Sequence, residues 1–408
     1  MTVSRRGMIA GGLCGCAFGT RAAARIAPGA MLPLVDAGYR PTDADERGMW
    51  RDCDRAEEEL AASNLLVDAP ALHAYVSGII HNLLGERAAG SRLYLVHEPT
   101  FNASMAPNGM MVVHSGLLVR VRTEAQCAAV LGHEAGHFCR KHNIAGFRNR
   151  VHRQSAMAFV AVGSNVMAGA TAMAGGNGRS WIDLANNVNN GLFASMFAFD
   201  RSQESEADAY GLRLLAEAGY SPDAAAAVWQ QLIEERQASA AARSKHYRAR
   251  ASAFDTHPPD AVRMADLSLS AREIAPVTSP RRDGRDEFRR AVAPLRAMLL
   301  DELVKQNDPG ASLYLINAHA TDGWDGTLRF YEGEAYRLRD APGDGATAAR
   351  AFAAAVVFDD APPVAWRAHG YALLKGGHGE DGRRALARYL DLDPHATDAA
   401  MVRFALNQ

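Results

Sequence analysis

Apolar residues recur three and four positions apart through most of the chain, the spacing of helices that bury one face. This pattern predicts helices over 43–64, 71–84 and 288–306. It also predicts one running from Glu124 through an apolar stretch ending at Leu131, and one carrying Tyr210, Leu212, Leu214 and Leu215 that stops at Gly219. Two short stretches, 93–97 and 110–114, read instead as strands, the second closed by Ser115-Gly116. The fold class that follows is mainly α with a small β-sheet, an α+β arrangement.

Toward the C-terminus the pattern becomes a repeat. Gly333 and Gly370 each open a similar helical stretch, with Tyr336 in one and Tyr371 and Leu373 in the other. Trp366, Gly370, Leu386 and Pro394 fall where tetratricopeptide (TPR) repeats place an aromatic, a small residue, an apolar residue of the second helix and a closing proline. Phe352 and Ala355 echo them in the preceding copy, with about three extra residues in its turn. Residues 275–280, Ala-Pro-Val-Thr-Ser-Pro, followed by a charged run, mark a linker. The expected organisation is an export signal over 1–26, a first domain over 27–270, a linker over 271–285 and a helical-repeat domain over 286–408.

The chemistry concentrates in His133-Glu134-Ala135-Gly136-His137. On a helix, residues four apart differ by only about 40° around the axis, so the two imidazoles share a face and can grip one ion. Glu134 then lies beside that ion, where a carboxylate can take a proton from an attacking water. Two neutral imidazoles, an open position and a nearby base are what a zinc peptidase requires. Such a centre needs a third protein ligand from another element. Glu204-Ser205-Glu206-Ala207-Asp208 is the candidate. Glu204 and Asp208 share a helix face, whereas Glu206 points away. Glu204 is therefore read as the third zinc ligand and Asp208 as the hydrogen-bond partner that fixes a ligand histidine, expected to be His133. His142, beyond the helix end, and His114 are not assigned to metal.

At this point the chain resembles peptidase family M48, the zinc metallopeptidases of the HtpX, Ste-twenty-four and BepA type. Residues 102–109, Asn-Ala-Ser-Met-Ala-Pro-Asn-Gly, resemble its N-A-x-A-x-P-G-G segment, with Asn108 where glycine is usual. Residues 124–137 resemble the helix leading into the zinc motif, with Gln126 where glutamate is common. Glu204 to Asp208 fits E-x-E-A-D, and Thr256 to Arg263 fits T-H-P-x-x-x-x-R. The resemblance implies a zincin-like protease domain, one Zn2+ per chain, and an edge strand at Met111, Val112, Val113 and His114 along which extended substrate pairs. It also implies that His257 can reach the zinc as a fourth ligand and silence the site. Similarity to BepA implies removal of misfolded or stalled outer-membrane proteins, with the TPR arm meeting the assembly machinery. A chaperone or assembly scaffold with little proteolysis is the alternative.

Composition narrows the setting. With 44 basic and 46 acidic side chains the net charge is −2, which gives no sign of nucleic-acid binding. Ser4-Arg5-Arg6, an apolar stretch and Arg21-Ala22-Ala23-Ala24 have the layout of an export signal of twin-arginine type, implying a periplasmic protein. A lipid anchor at Cys16 is the alternative. Residues 154–178 carry no charged side chain and read either as a lid over the cleft or as a peripheral membrane contact. Cys127 and Cys139 lie too far apart along one helix to pair, and all three of Cys53, Cys127 and Cys139 read as buried apolar residues.

Overall fold

The computed structural model describes residues 40–148, 199–242, 261–274 and 281–406. The export segment, Cys16, residues 154–178 and His257 therefore lie outside the described residues. Among the described residues no helix is long and apolar enough to cross a membrane.

Two helices, α1 (Ala44–Ala61) and α2 (Pro70–Leu84), lead into a three-stranded sheet of β1 (Arg92–Val96), β2 (Ala103–Met105) and β3 (Met110–His114). The strand order is β1-β3-β2, with β1 parallel and β2 antiparallel to β3. This corrects one expectation. Met111, Val112, Val113 and His114 belong to the central strand, whose backbone is already paired on both sides, so a substrate cannot add to it. The terminal strand on that side is β2, and it packs against the helix that carries the histidine motif. An apolar run of four residues does not say which strand lies outermost; here all five residues of β3, His114 included, are buried.

A short turn of helix, α3 (Ser115–Leu118), precedes α4 (Glu124–Cys139). Thr123 caps α4 by accepting from the Gln126 amide at 3.1 Å. Asp200 and Gln203 form a reciprocal capping box at the start of α5 (Arg201–Glu217), and Gly219 follows its end with φ +82°. Helices α6 (Asp223–Ala241) and α7 (Ala261–Ile274) complete this part. One apolar core then runs on, without interruption, from Leu72 of α2 into the C-terminal helices as far as Ala365.

The helix expected over 288–306 is broken. It forms α8 (Arg285–Val292) and α9 (Arg296–Lys305), separated by a 3-10 turn containing Pro294, whose missing N–H cannot serve an α-helix interior. Helix α10 (Pro309–His319) and the pairs α11 (Gly326–Arg339) with α12 (Asp344–Ala355) and α13 (Pro363–Lys375) with α14 (Gly379–Leu392) follow, ending in α15 (Ala399–Leu406). In each pair a glycine of the first helix lets the second approach. A Cβ at Gly333 would sit 2.4 Å from the Phe352 ring, and one at Gly370 would sit 2.8 Å from Leu386.

The C-terminal helices are bonded to the rest through specific polar contacts. Glu302 of α9 accepts from Ser115 Oγ at 2.5 Å and meets His97 Nδ1 at 2.6 Å. Tyr314 donates to Glu234 at 2.8 Å, and Ser239 donates to Asp308 at 2.5 Å. Residues 281–284 are held too: Ala125 N donates to Asp283 O at 2.9 Å, and Glu124 accepts from Tyr75 and Tyr220 while pairing with Arg282.

Candidate metal centre

Helices α4 and α5 cross where each presents a glycine. A Cβ added at Gly136 would lie 2.9 Å from the Ala207 carbonyl oxygen, and one at Gly211 would lie 3.0 Å from the His133 amide. Only glycine permits that approach, and it brings the first turns of α5 under the histidine face of α4. His133, His137 and Glu204, all buried, thereby offer donor atoms within 4.8 Å of one another. The two Nε2 atoms are 3.1 Å apart, and Glu204 lies 3.5 Å from His133 and 3.4 Å from His137. Glu134 is buried beside them, at 3% exposure.

The hydrogen bonds around this group decide which atoms carry protons. Asp208 Oδ1 is 2.9 Å from His133 Nδ1, so in the neutral ring that nitrogen donates and Nε2 keeps its lone pair. The second histidine is set by a longer chain. Glu206 Oε2 is 3.0 Å from His142 Nε2, and His142 Nδ1 is 3.0 Å from His137 Nδ1. Burial pushes the His142 pKa down against the pull of Glu206, so this ring is neutral at neutral pH. A carboxylate only accepts; His142 therefore donates to Glu206, accepts from His137, and leaves His137 Nε2 with a lone pair as well. With both rings neutral, two imidazole lone pairs and a carboxylate converge. Such a set repels itself until a cation enters, and a small divalent ion with tetrahedral preference for nitrogen and oxygen fits it.

The titration of His133 expresses the same demand. Burial alone would push its pKa down, but Asp208 and Glu204 overcome that and hold it up at about 9. Asp208 moves the opposite way: burial would raise it, yet Arg263 and His133 hold it at about 2. Arg263 of α7 donates to Asp208 from Nε at 2.7 Å and Nη2 at 2.8 Å, and its Nη1 is 2.7 Å from Glu204. Its guanidinium also lies over the Trp229 ring, 4.6 Å from the centroid.

The structure therefore brings His133, Glu134, His137, Glu204 and Asp208 together, with Glu206 turned away from the donor group but holding His142. Three participants were not read from the sequence. Arg263 was legible only as the last letter of a motif. His142 lay past the helix end and received no role beyond a structural one. Phe199, stacked on His137 at 3.7 Å, offers no signal in its local sequence. His114 is buried, bonds Thr100 at 3.0 Å, and is kept neutral by burial with a pKa near about 4.

Comparison with known proteins gives this arrangement its family. The model for peptidase family M48 matches residues 66–271, half of the chain, and takes in every residue of the donor group. The chain belongs to peptidase family M48. Among M48 relatives, metalloprotease LoiP of Escherichia coli is 31% identical over 217 residues, 52% of this chain and 75% of LoiP. A putative beta-barrel assembly-enhancing protease of Vibrio cholerae is 26% identical over 173 residues, 42% of this chain and 34% of its own length. The mitochondrial metalloendopeptidase OMA1 of Arabidopsis thaliana is 35% identical over 138 residues, 34% of this chain and 25% of its own. The matched region thus spans well under half of the last two relatives.

Proposed function

We propose that this chain is a zinc-dependent endopeptidase with His133, His137 and Glu204 as metal ligands and Glu134 as general base. The observation that carries the reading is the convergence of donor atoms from His133, His137 and Glu204, within 4.8 Å of one another, beside the buried Glu134 carboxylate. When bound, zinc supplies a Lewis acid that polarises the scissile carbonyl and brings the pKa of water near neutrality. Glu134 takes the proton of the attacking water and delivers it to the leaving amine nitrogen. Asp208 and the Glu206–His142 pair hold the two ligand rings in the tautomers that present Nε2. The extended substrate adds to β2, the terminal strand against α4, so recognition runs through backbone hydrogen bonds and tolerates many sequences.

Relatives carrying the name beta-barrel assembly-enhancing protease support a role on unfolded or misfolded cell-envelope proteins in the periplasm. The two C-terminal helix pairs serve, in this reading, as a TPR-like arm for substrate or assembly partners, with the protease domain over 27–270. His257 belongs to the same reading as a latch on the zinc. The deciding experiment is metal analysis with an unfolded-protein digestion assay on the purified chain. Wild type should hold one zinc and cut; Glu204→Ala should lose both. Zinc retained by Glu204→Ala, or cutting that persists in Glu134→Gln, would overturn the assignment. A Glu134→Gln chain that fully restores function in cells would favour the scaffold.

A further inference from the structure

A cavity of about 820 Å³ opens between α1, the 3-10 turn at 85–90, the start of β1 and the side of α4. Five arginines line it, Arg40, Arg47, Arg51, Arg87 and Arg92, against a single carboxylate, Asp54. Asp54 accepts from Asn108 Nδ2 at 2.9 Å and offsets one of the five positive charges. Arg92 is neutralised by Glu57, to which it donates, and Arg47 donates to the Thr42 carbonyl. Arg51 and Arg87 differ. Among the described residues neither makes an ion pair or hydrogen bond, although they stand on separate elements and face one space. Several arginines of the C-terminal helices are paired instead: Arg337 meets Glu334 at 2.7 Å and Arg289 meets Asp286 at 3.1 Å, each three residues away. The cavity thus gathers more guanidinium than carboxylate charge, in a chain whose net charge is −2.

We propose that this cavity is a binding site for a phosphate-bearing ligand. A guanidinium presents a planar fork of N–H donors that matches two phosphate oxygens at once, and two forks from different directions can enclose the group. Trp50 and Phe138 supply ring surfaces in the same wall, which suits an apolar part carried with the phosphate. The volume exceeds what one inorganic ion needs and lies in the range of small-molecule sites. The phosphate can belong to a lipid headgroup or to a soluble compound, and both present the same chemistry to Arg51 and Arg87. The site stands independently of the peptidase assignment, because Arg51 and Arg87 take no part in the donor group on α4 and α5.

The test uses the purified full chain and two probes. Inorganic phosphate is titrated against thermal unfolding, with sodium chloride at matched ionic strength as the reference. Vesicles of phosphatidylcholine alone, or with one third phosphatidylglycerol, are used for co-sedimentation. Wild type should be protected saturably by phosphate and not by chloride, and Arg51→Ala/Arg87→Ala should need about tenfold more phosphate or greater. Binding to anionic vesicles that the double variant loses identifies a lipid source. Phosphate protection without vesicle binding identifies a soluble one. Both side chains are exposed, so the double variant is expected to fold, and its unfolding temperature without ligand checks this. Equal protection by chloride, or a double variant that keeps the wild-type response to phosphate and vesicles, would overturn the proposal.

Discussion

Arg263 and Arg87 carry the same guanidinium into opposite surroundings. Arg263 is buried, with side-chain exposure of 10%, and lies between two carboxylates: Asp208 and Glu204 hold its pKa above the ordinary value although burial works against it. Arg87 stands on an exposed turn and its side chain makes no ion pair or hydrogen bond among the described residues. A buried ion is tolerable only when paired, because desolvation costs several kcal/mol, so charges around the donor group come as a balanced set. A surface ion needs no partner and can be kept free for a ligand. Groups of the first kind should fail together when one is removed, whereas groups of the second kind should be removable almost without cost until the ligand is present.

The sharpest break is at Glu134. Glu134→Gln keeps the shape of the side chain but cannot take a proton, and hydrolysis of an unfolded substrate should fall by roughly 100-fold or more while zinc content is unchanged. Arg263→Met should destabilise the chain by about 3–5 kcal/mol in urea unfolding, because the buried Asp208 and Glu204 carboxylates lose the guanidinium that pairs with both. Zinc should restore part of that loss, since it supplies positive charge to the same carboxylates. A loss below about 1 kcal/mol would mean that the cluster is not a coupled set.

His142→Ala tests the second histidine's tautomer. The ring touches His137 through Nδ1 and offers no donor atom of its own to the metal group, so competition with a chelator should show zinc held about 10–100-fold more weakly. His142→Gln, which can still accept from His137 Nδ1, should recover most of it. Unchanged affinity in His142→Ala would remove the relay through Glu206.

The metal-free chain should also respond to pH in a defined direction. The raised His133 pKa means that its contribution to stability is fully present below about 6.5 and is lost as pH rises through about 9. Asp208, held at about 2, contributes above about 3.9 and loses its effect as pH falls toward 2. Thermal unfolding of the chelated protein should therefore decline between neutral pH and pH 9. With zinc bound the decline should vanish, because the ion takes the place of the proton on the imidazole. At the other end of the scale, Arg51→Ala or Arg87→Ala alone should change unfolding free energy by no more than about 0.5 kcal/mol without ligand.

Much of the donor group was readable before any coordinates because its key relations are local. The spacing of His133 and His137, and of Glu204 and Asp208, is a helical i, i+4 relation, and apolar periodicity marks both α4 and α5 as helices. The paired C-terminal helices were readable for a similar reason: the glycines of α11 and α13 sit opposite large side chains of the next helix, with Gly333 to Phe352 three residues longer than Gly370 to Leu386. What misled was the strand. Four apolar residues in a row, Met110 to Val113, announce a buried strand, and the central position of β3 explains the run better than an edge does.

The amino-acid sequence by itself determined the helical character of the chain, the identity of the candidate ligands and base, and which of them share a face, since each depends on the geometry of a few consecutive turns. Tertiary structure alone decided that β2 and not β3 ends the sheet, that Glu206 reaches His142 across 64 positions, and that Arg263 joins residues 130 positions upstream. It also decided that five arginines from four segments share one cavity. Such contacts depend on how close two backbones can come, as at Gly136 and Gly211, and local periodicity carries no record of which distant residue will stand on the other side.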